Sequence, residues 1–441
     1  MAIETLPDRR GSVELPQAQT PRLRARPRTV EETGLDFLFL VELVAKVLFA
    51  RGQISLVGLS SHLRLPATVL EALLAFMRTE RLCEVTRRGD SEGDVHYQLT
   101  DAGRARAAAF LERSQYAGVA PVSLRAYQDA VESQSIADLR VTREDMRREF
   151  ADVVVKPVVL DQIGAAMNSG RAIFLYGPAG SGKTYLAERL RRLLKGSVLV
   201  PHAIAVGNDV VQVFDPLVHL PVGAAPGAPA GIDREAIADE RWMSCQRPVV
   251  ISGGELRLSM LDLDFDEATR YYQAPPHVKA NNGIYVVDDL GRQLVTPRDL
   301  MNRWVVPLDR RKDYLSLRTG HKFAVPFDVV VVFSTNLRPA ELVDEAFLRR
   351  LGYKIYLGPM SEDEYRTIFK DVCAQFGIAF SEDEFRHLLR SHHDREDRPR
   401  LACYPRDILS QLRDFAVYEG GPPRLTAANL DRAWHNYFIT E

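Results

Sequence analysis

The sequence predicts an α/β protein in which a parallel sheet with helices on both faces is preceded by a small α+β domain and followed by helices. Three observations indicate this fold class. The continuous apolar run Val329–Phe333 is typical of a strand buried on both faces of a parallel sheet. Residues after about 360 show helix starts and helical apolar spacing. A chain of 441 residues is too long for one core, so we expect several domains.

The composition is that of a globular protein, with 46% hydrophobic and 26% charged residues. Lys and Arg number 57 and Asp and Glu 59, which leaves a formal net charge of −2. Such a balance gives no global attraction to nucleic acid or to anionic membranes. Nucleic acid is therefore expected as a partner only if a local basic patch exists.

The sequence also predicts a cytoplasmic protein without a membrane partner. Asp8, Arg9 and Arg10 stand where a signal peptide would need an apolar segment. The longest apolar stretch, Leu35–Ala50, is interrupted by charged residues and is shorter than a membrane span. Four scattered cysteines without a C-x-x-C pair indicate neither a disulfide framework nor a zinc ribbon.

The N-terminal part divides by composition and pattern. Residues 1–30 mix proline, arginine and glutamine without apolar periodicity, which predicts a disordered tail. Residues 31–116 predict a helix, a short helix, a helix, two strands and a helix, in that order. This order resembles a winged-helix domain. Residues 117–144 predict a helical linker, after which we expect the α/β core at 145–359 and a helical domain at 360–441.

The resemblance to a winged helix leaves two uses open, reading DNA and docking a protein. The third predicted helix would enter a major groove, but Glu71 and Glu80 are among its polar residues and would repel phosphates. The loop between the two strands balances its arginines with acids. We therefore favour a protein-docking or structural use of this domain.

Residues 177–184 match the pattern G-x-x-x-x-G-K-[ST] and follow the apolar run 172–176, where a strand should lead into a phosphate loop. The glycines let successive N–H groups point into one anion site, while Lys183 brings a cation to the phosphates and Thr184 offers a hydroxyl to Mg²⁺. The pattern predicts a P-loop NTPase core that binds ATP and Mg²⁺. The predicted nucleotide ligands are Gly177, Pro178, Ala179, Gly180, Ser181, Gly182, Lys183 and Thr184.

Two further apolar runs end in polar residues suited to this chemistry. Ile284–Val287 is followed by Asp288 and Asp289, and Val329–Thr335 is followed by Asn336. The carboxyl ends of parallel strands meet at one edge of a sheet, beside the phosphate loop. We assign Asp288 to Mg²⁺, Asp289 to the attacking water, and Asn336 to the γ-phosphate or that water.

The order of these motifs resembles the AAA+ ATPase superfamily from about residue 145 to the end of the chain. The resemblance implies that residues 177–184 are Walker A, that Asp288 and Asp289 are Walker B, and that Asn336 is sensor 1. It further implies that Arg349 or Arg350 is an arginine finger for a neighbouring subunit and that Arg406, in Tyr-Pro-Arg-Asp, is sensor 2. A homo-oligomeric ring, with a hexamer expected, and a helical lid of four helices follow from the same resemblance.

The sequence departs from the family pattern at one position and carries two insertions. The second Walker B acid is usually Glu, so Asp289 predicts looser positioning of water and slow turnover. We predict a second core strand at Ser197–Val206, then a hairpin with a Gly-Gly turn at 248–258, similar to a helix-2 insert. A second hairpin, 313–325 around Gly320, is similar to a pre-sensor-1 hairpin.

These features predict an AAA+ ATPase that hydrolyses ATP with Mg²⁺ to remodel a macromolecular partner, with a protein client of unknown identity. Two alternatives stay open. One is a DNA-binding regulator or helicase loader in which the nucleotide acts as a switch. The other is an interaction module that binds nucleotide without hydrolysing it, which the shorter Asp289 would allow.

Overall fold

The computed structural model describes residues 24–88, 95–222, 238–342 and 348–438. Their fold is a mixed α/β body with one fully parallel sheet, a second sheet of mixed strand direction, short antiparallel sheets and a helical C-terminal region, which confirms the predicted fold class. No helix within these ranges is both long and apolar enough to span a bilayer.

The N-terminal module consists of four helices and a three-stranded sheet. Asp36 caps the first helix by accepting hydrogen bonds from the N–H groups of Leu38 and Phe39, and Thr100 caps the last. The order of elements agrees with the predicted one, with one added short strand. The elements are α1 Phe37–Arg51, β1 Gln53–Ser55, α2 Leu56–Leu63, α3 Ala67–Thr79, β2 Cys83–Arg88, β3 Val95–Leu99 and α4 Asp101–Arg113, and the strand order is β1-β3-β2.

The predicted disordered tail, 1–30, overlaps the described residues only at its end. Residues 1–23 lie outside them, and residues 24–30 pack on the folded body rather than extending from it. Arg24 lies over the ring of Trp242, its carbonyl accepts a hydrogen bond from the N–H of Asp239, and Val30 is buried. The cation–π contact and the backbone hydrogen bond hold this segment on the folded body, and its amino-acid composition did not predict them.

The segment predicted as a helical linker contains a strand as well as helices. Its elements are β4 Val122–Ser123, α5 Leu124–Ser133 and α6 Arg143–Glu149, and a capping box of Thr142 and Asp145 opens α6. Strand β4 pairs in parallel with β7 (Ala203–Val206), so this segment joins a sheet of the central region.

The central sheet is five-stranded, parallel throughout, and carries the phosphate loop. Its strand order is β10-β13-β16-β5-β17. Every residue of β13 and β16 is buried, as their continuous apolar sequences predict. The strands are β5 Ile173–Tyr176, β10 Val249–Ser252, β13 Gly283–Val287, β16 Val329–Thr335 and β17 Tyr353–Tyr356, and the helices of this region are α7 Pro157–Ser169, α8 Lys183–Arg189, α9 Pro276–Lys279, α10 Pro297–Arg310 and α11 Pro339–Leu342.

Two predictions for the insertion were wrong. Ser197–Val206 forms two strands that lie outside the parallel sheet, and the predicted Gly-Gly hairpin at 248–258 does not form. Instead Val249–Ser252 is the edge strand β10, paired in parallel with β13, so Gly253 and Gly254 end a strand. An apolar run flanked by glycines fits a hairpin arm and a buried parallel strand equally well, and tertiary pairing decided between them.

The inserted chain contributes strands to two further sheets. One pairs β6 with β9, and the other has the order β11-β12-β8-β7-β4. The second sheet packs against the N-terminal module, because Ala203, Ala205 and Val210 share an apolar core with α1 and α3. The strands are β6 Ser197–Pro201, β7 Ala203–Val206, β8 Asp209–Gln212, β9 Trp242–Gln246, β11 Asp264–Asp266 and β12 Tyr271–Gln273.

A buried arginine joins the module to this insertion. Arg241 is only 4% exposed, forms an ion pair with Asp239 at 2.9 Å, and donates hydrogen bonds to the carbonyl oxygens of Thr33 and Pro121. Removing one partner of such a buried pair would leave the other charge without compensation, which is strongly destabilising.

The predicted second hairpin is present, immediately before β16. It consists of β14 Lys312–Ser316 and β15 Lys322–Pro326, paired antiparallel. The C-terminal region is helical, as predicted, and the capping box of Ser361 and Glu364 opens its first helix. Its helices are α12 Glu362–Phe376, α13 Glu382–Leu388, α14 Tyr404–Tyr418 and α15 Ala427–Tyr437, and a π-helical segment, Leu389–Asp394, extends α13.

Candidate nucleotide-binding site

A cavity of about 1110 Å³ lies where the carboxyl ends of the central strands face the C-terminal helices. Most of the predicted site residues line this cavity or contact a residue that does. Those on its wall include Ala179–Thr184, Asp289, Asn336 and Arg406. A crevice at the carboxyl end of a parallel sheet is the usual ligand position in open α/β folds.

The phosphate loop has the backbone that an anion cradle requires. Gly177, Gly180 and Gly182 have φ values of 149°, 80° and 91°, a region that side chains other than glycine rarely adopt. A Cβ at Gly177 would overlap the carbonyl oxygen of Leu357. The hydroxyl of Ser181 is buried in the loop and has no hydrogen-bond partner in the described part of the chain. The loop therefore offers donors that a phosphate would satisfy.

Lys183 connects the loop to the end of β16. Its Nζ donates to the carbonyl oxygens of Gly177 and Pro178 at 3.0 and 2.9 Å and to Asn336 Oδ1 at 2.7 Å. Burial lowers the pKa of the ammonium, and the Asp289 and Asp288 carboxylates oppose that shift. The Lys183 ammonium thus lies within the loop, where it would contact the phosphates of a bound nucleotide.

The two acids after β13 have different surroundings. Asp288 accepts hydrogen bonds from Thr184 Oγ1 at 2.9 and 2.8 Å, so the two predicted Mg²⁺ ligands are in contact. Asp289 has a left-handed backbone, with φ of 50°, and its Oδ1 accepts from Asn336 Nδ2 at 3.4 Å. A hydroxyl beside a carboxylate suits the oxygen preference of Mg²⁺, so Thr184 and Asp288 fit the assigned role.

The C-terminal helices contact the phosphate loop directly. The N–H of Cys403 donates to the carbonyl oxygen of Gly180 at 3.1 Å, one residue before α14. Arg406, in the first turn of α14, lines the same cavity. Any change in how α14 sits on the loop would therefore move Arg406 relative to the phosphates.

Sequence reasoning missed an apolar wall of the cavity. Val153, Val155 and Val158 from the segment before and within α7 face Ile368 and Val372 of α12. Such a wall would accept the flat face of a nucleobase. No pattern marks it, because its residues come from segments more than 200 positions apart and are ordinary aliphatic side chains.

Arg349 and Arg350 lie away from this cavity. With Gly170, Arg171 and Asp309 they line a separate cavity of about 560 Å³, near the amino end of β5 and thus at the opposite edge of the sheet from Lys183. Arg350 forms an ion pair with Asp309, at 2.9 Å. The structure therefore brings together every other predicted site residue and separates these two from them.

Replacing Gly180 with alanine is expected to weaken nucleotide binding about tenfold or more, because the new Cβ would overlap Cys403 Sγ and push α14 off the loop. Adding Cys403→Ala should restore most of the affinity, because the overlap with Sγ is removed. The left-handed backbone cost of about 1–2 kcal/mol should appear instead as a lower free energy of unfolding. A fluorescent ATP analogue would measure both. The control is Gly421→Ala, where a Cβ meets nothing within 4 Å. Equal affinities for Gly180→Ala and the natural protein would contradict the contact.

A family profile described as "Domain of unknown function (DUF8689)" matches residues 361–436, which are the C-terminal helices. No curated protein matches the sequence significantly. The solved structure of NtrX from Brucella abortus is 14% identical over 67% of this chain and 59% of that chain, with a TM-score of 0.41.

The Thermotoga maritima RuvB Holliday junction branch migration motor is 11% identical over 69% of this chain and 74% of that chain, with a TM-score of 0.35. This chain thus spans less than two thirds of the NtrX chain. The strand order, the loop after β5 and the Thr184–Asp288 contact carry the fold assignment independently of these likenesses. The chain has an α/β P-loop NTPase fold with a helical C-terminal region.

Proposed function

We propose that this chain is an ATPase of the AAA+ type, which binds ATP with Mg²⁺ and hydrolyses it to drive conformational change in a macromolecular partner. The observation that carries this proposal is the convergence of Lys183, Thr184, Asp288 and Asn336 beside one cavity. These four side chains come from the loop and from the ends of two neighbouring strands. Their chemistry matches phosphate binding and phosphoryl transfer to water.

The residues divide the work of hydrolysis among them. The loop N–H groups and Lys183 bind the phosphates, and Mg²⁺, when bound, would neutralise charge on the β- and γ-phosphates. The Asn336 amide accepts a hydrogen bond from Lys183 and donates one to Asp289. It thus lies between the residue assigned to the phosphates and the residue assigned to the attacking water. Asp289 would accept a hydrogen bond from the attacking water and orient it.

Ring assembly is part of the proposal. Arg349 and Arg350 lie at the edge of the sheet opposite the nucleotide cavity, which suits residues that would act on the nucleotide of a neighbouring subunit. The hairpin β14–β15 presents Lys312, Lys322 and the half-exposed Tyr314, a surface that suits contact with an acidic partner segment. The N-terminal module, winged-helix-like in the order of its elements, would recruit that partner, which we expect to be a protein.

The test is phosphate release by the purified full chain with ATP and Mg²⁺, together with light scattering with and without an ATP analogue. Turnover and nucleotide-dependent growth of the particle would support the proposal. A strictly monomeric protein with full turnover would contradict the ring. Binding to duplex DNA that falls steeply with added salt would instead favour the DNA-binding alternative.

Substituting Asp289 with Asn is expected to lower turnover by about 10²-fold while ATP affinity stays within a few-fold, because the amide no longer attracts the water's proton. The matched variant Asp289→Glu keeps the carboxylate and should retain turnover, although a left-handed backbone suits Asp better than Glu. Single-turnover assays and nucleotide titrations would separate the two effects. If Asp289→Asn turned over as fast as the natural protein, Asp289 would not orient the attacking water and that assignment would be wrong. If neither protein hydrolysed ATP, the non-hydrolysing alternative would gain support.

A further inference from the structure

Three side chains of the C-terminal helices converge on one point outside the nucleotide cavity. His387 Nε2 lies 2.7 Å and His392 Nε2 2.6 Å from the same oxygen of Asp431, Oδ1. His387 is in α13, His392 in the π-helical segment and Asp431 in α15. Within the described residues, this is the group of His, Cys, Asp and Glu side chains close enough to share a metal ion.

The other ring nitrogen of each histidine also has an oxygen near it. His387 Nδ1 lies 3.2 Å from Ser391 Oγ, and His392 Nδ1 lies 3.9 Å from Glu396 Oε1. Glu396 is itself fixed, because Trp434 Nε1 and Arg398 Nε donate to it. A hydrogen-bond partner at Nδ1, such as Ser391 Oγ at His387, orients an imidazole whose Nε2 binds a metal. Glu396 is too far from His392 for a hydrogen bond and places only a negative charge beside it.

One member of the histidine and aspartate cluster is buried, and the other two are partly exposed to solvent. His392 is 6% exposed and stacks on the Trp434 ring at 4.9 Å, whereas His387 and Asp431 are 30% and 39% exposed. A π-helical turn, which adds one residue to the usual repeat, often occurs at functional sites. Here it brings His392 to the same point as His387.

We propose that His387 Nε2, His392 Nε2 and an Asp431 carboxylate oxygen bind a divalent first-row transition metal ion of the Zn²⁺ class, with solvent completing the coordination. Imidazole and carboxylate ligands favour such ions over Mg²⁺ and Ca²⁺. A tetrahedral site separates its ligand atoms by about 3.3 Å, so the cluster must open by about 0.6 Å, which the half-exposed His387 and Asp431 can do by small rotations while His392 stays in place. The ion would take the place of the protons that now join the imidazoles to the carboxylate.

The proposed ion would connect α13, the π-helical segment and α15 within the region that carries Arg406. It does not depend on nucleotide hydrolysis. His393 and Cys403, which also lie in this region, take no part: His393 Nε2 faces the hydroxyl of Tyr365, and Cys403 contacts the phosphate loop.

Calorimetry with Zn²⁺ alone, on chelator-treated full-length protein, tests the proposal. We expect one equivalent bound with a dissociation constant below about 10 µM, and Co²⁺ should give the visible absorption of a low-coordinate site with nitrogen ligands. His387→Gln and Asp431→Asn should each weaken binding about 100-fold. Asp431→Asn keeps an oxygen that accepts from both imidazoles, so its metal-free unfolding midpoint should stay near that of the natural protein.

Two controls locate the ion. Asp288→Asn removes a carboxylate from the nucleotide site and His321→Gln removes an exposed histidine of the hairpin, and neither should change Zn²⁺ affinity. Absence of stoichiometric Zn²⁺ binding below about 100 µM would overturn the proposal. Equal binding by the natural protein and the His387→Gln and Asp431→Asn variants would overturn it as well.

Discussion

Replacing Lys183 with alanine is expected to reduce ATP turnover by at least about 10²-fold, because the developing charge on the transferred phosphoryl group loses its nearest side-chain cation. Nucleotide affinity should fall too, since Nζ now lies within the loop and 2.7 Å from Asn336 Oδ1. Phosphate release and nucleotide titration would measure the two losses separately.

Lys370→Ala is the matched control for this variant. Lys370 is an exposed residue of α12 and does not line the cavity, so its removal should leave turnover and nucleotide affinity unchanged. If Lys183→Ala kept the turnover of the natural protein, the phosphate loop would have no part in catalysis and the proposed function would be wrong.

The second large effect concerns the two arginines at the far edge of the sheet. An arginine finger contributes about 10³ to 10⁵ in rate, so removing it should nearly abolish turnover without removing nucleotide binding. Arg349 is the more exposed of the two side chains. We therefore expect Arg349→Ala to cause the larger loss and Arg350→Ala, as its neighbouring control, the smaller.

Mixing two inactive variants would show whether the arginine acts between subunits. A site formed by Lys183 of one subunit and Arg349 of its neighbour is intact in rings that combine Arg349→Ala with Lys183→Ala chains. Turnover should therefore reappear on mixing. If the mixture stayed inactive although the variants assembled together, action of Arg349 across a subunit boundary would be ruled out.

The sequence was sufficient to predict the phosphate loop, the ends of β13 and β16 and the C-terminal helices. Each of these is marked by local chemistry: glycines before a lysine, apolar runs that end in acids or an amide, and capping residues. The placement of Lys183, Thr184, Asp288 and Asn336 then followed from the rule that parallel strands align their carboxyl ends.

The rest could not be predicted from local pattern. Ser197–Val206 and Val249–Ser252 are both apolar runs of strand length, and only pairing with β13 decided that the second belongs to the central sheet. The histidine cluster is likewise invisible in the sequence, because His387 and His392 are 44 and 39 residues from Asp431. Contacts between distant segments carry no periodic signal.

Asp289 shows how structure changes the meaning of a sequence departure. From the sequence, a shorter acid suggested only a weaker hold on water. The left-handed backbone at this position offers a reason for Asp in place of Glu, since Asp adopts that conformation more readily than most other residues. Asp289 therefore suits the local backbone and still supplies the carboxylate that the assigned role needs.

The buried Arg241 has a mechanical consequence. Its hydrogen bonds to Thr33 and Pro121 and its ion pair with Asp239 restrict the movement of the N-terminal module relative to the inserted strands. If the chain acts as we propose, a partner bound by the module would therefore move together with the inserted strands. The displacement of that partner would follow the movement of the whole subunit, with no flexible connection in between.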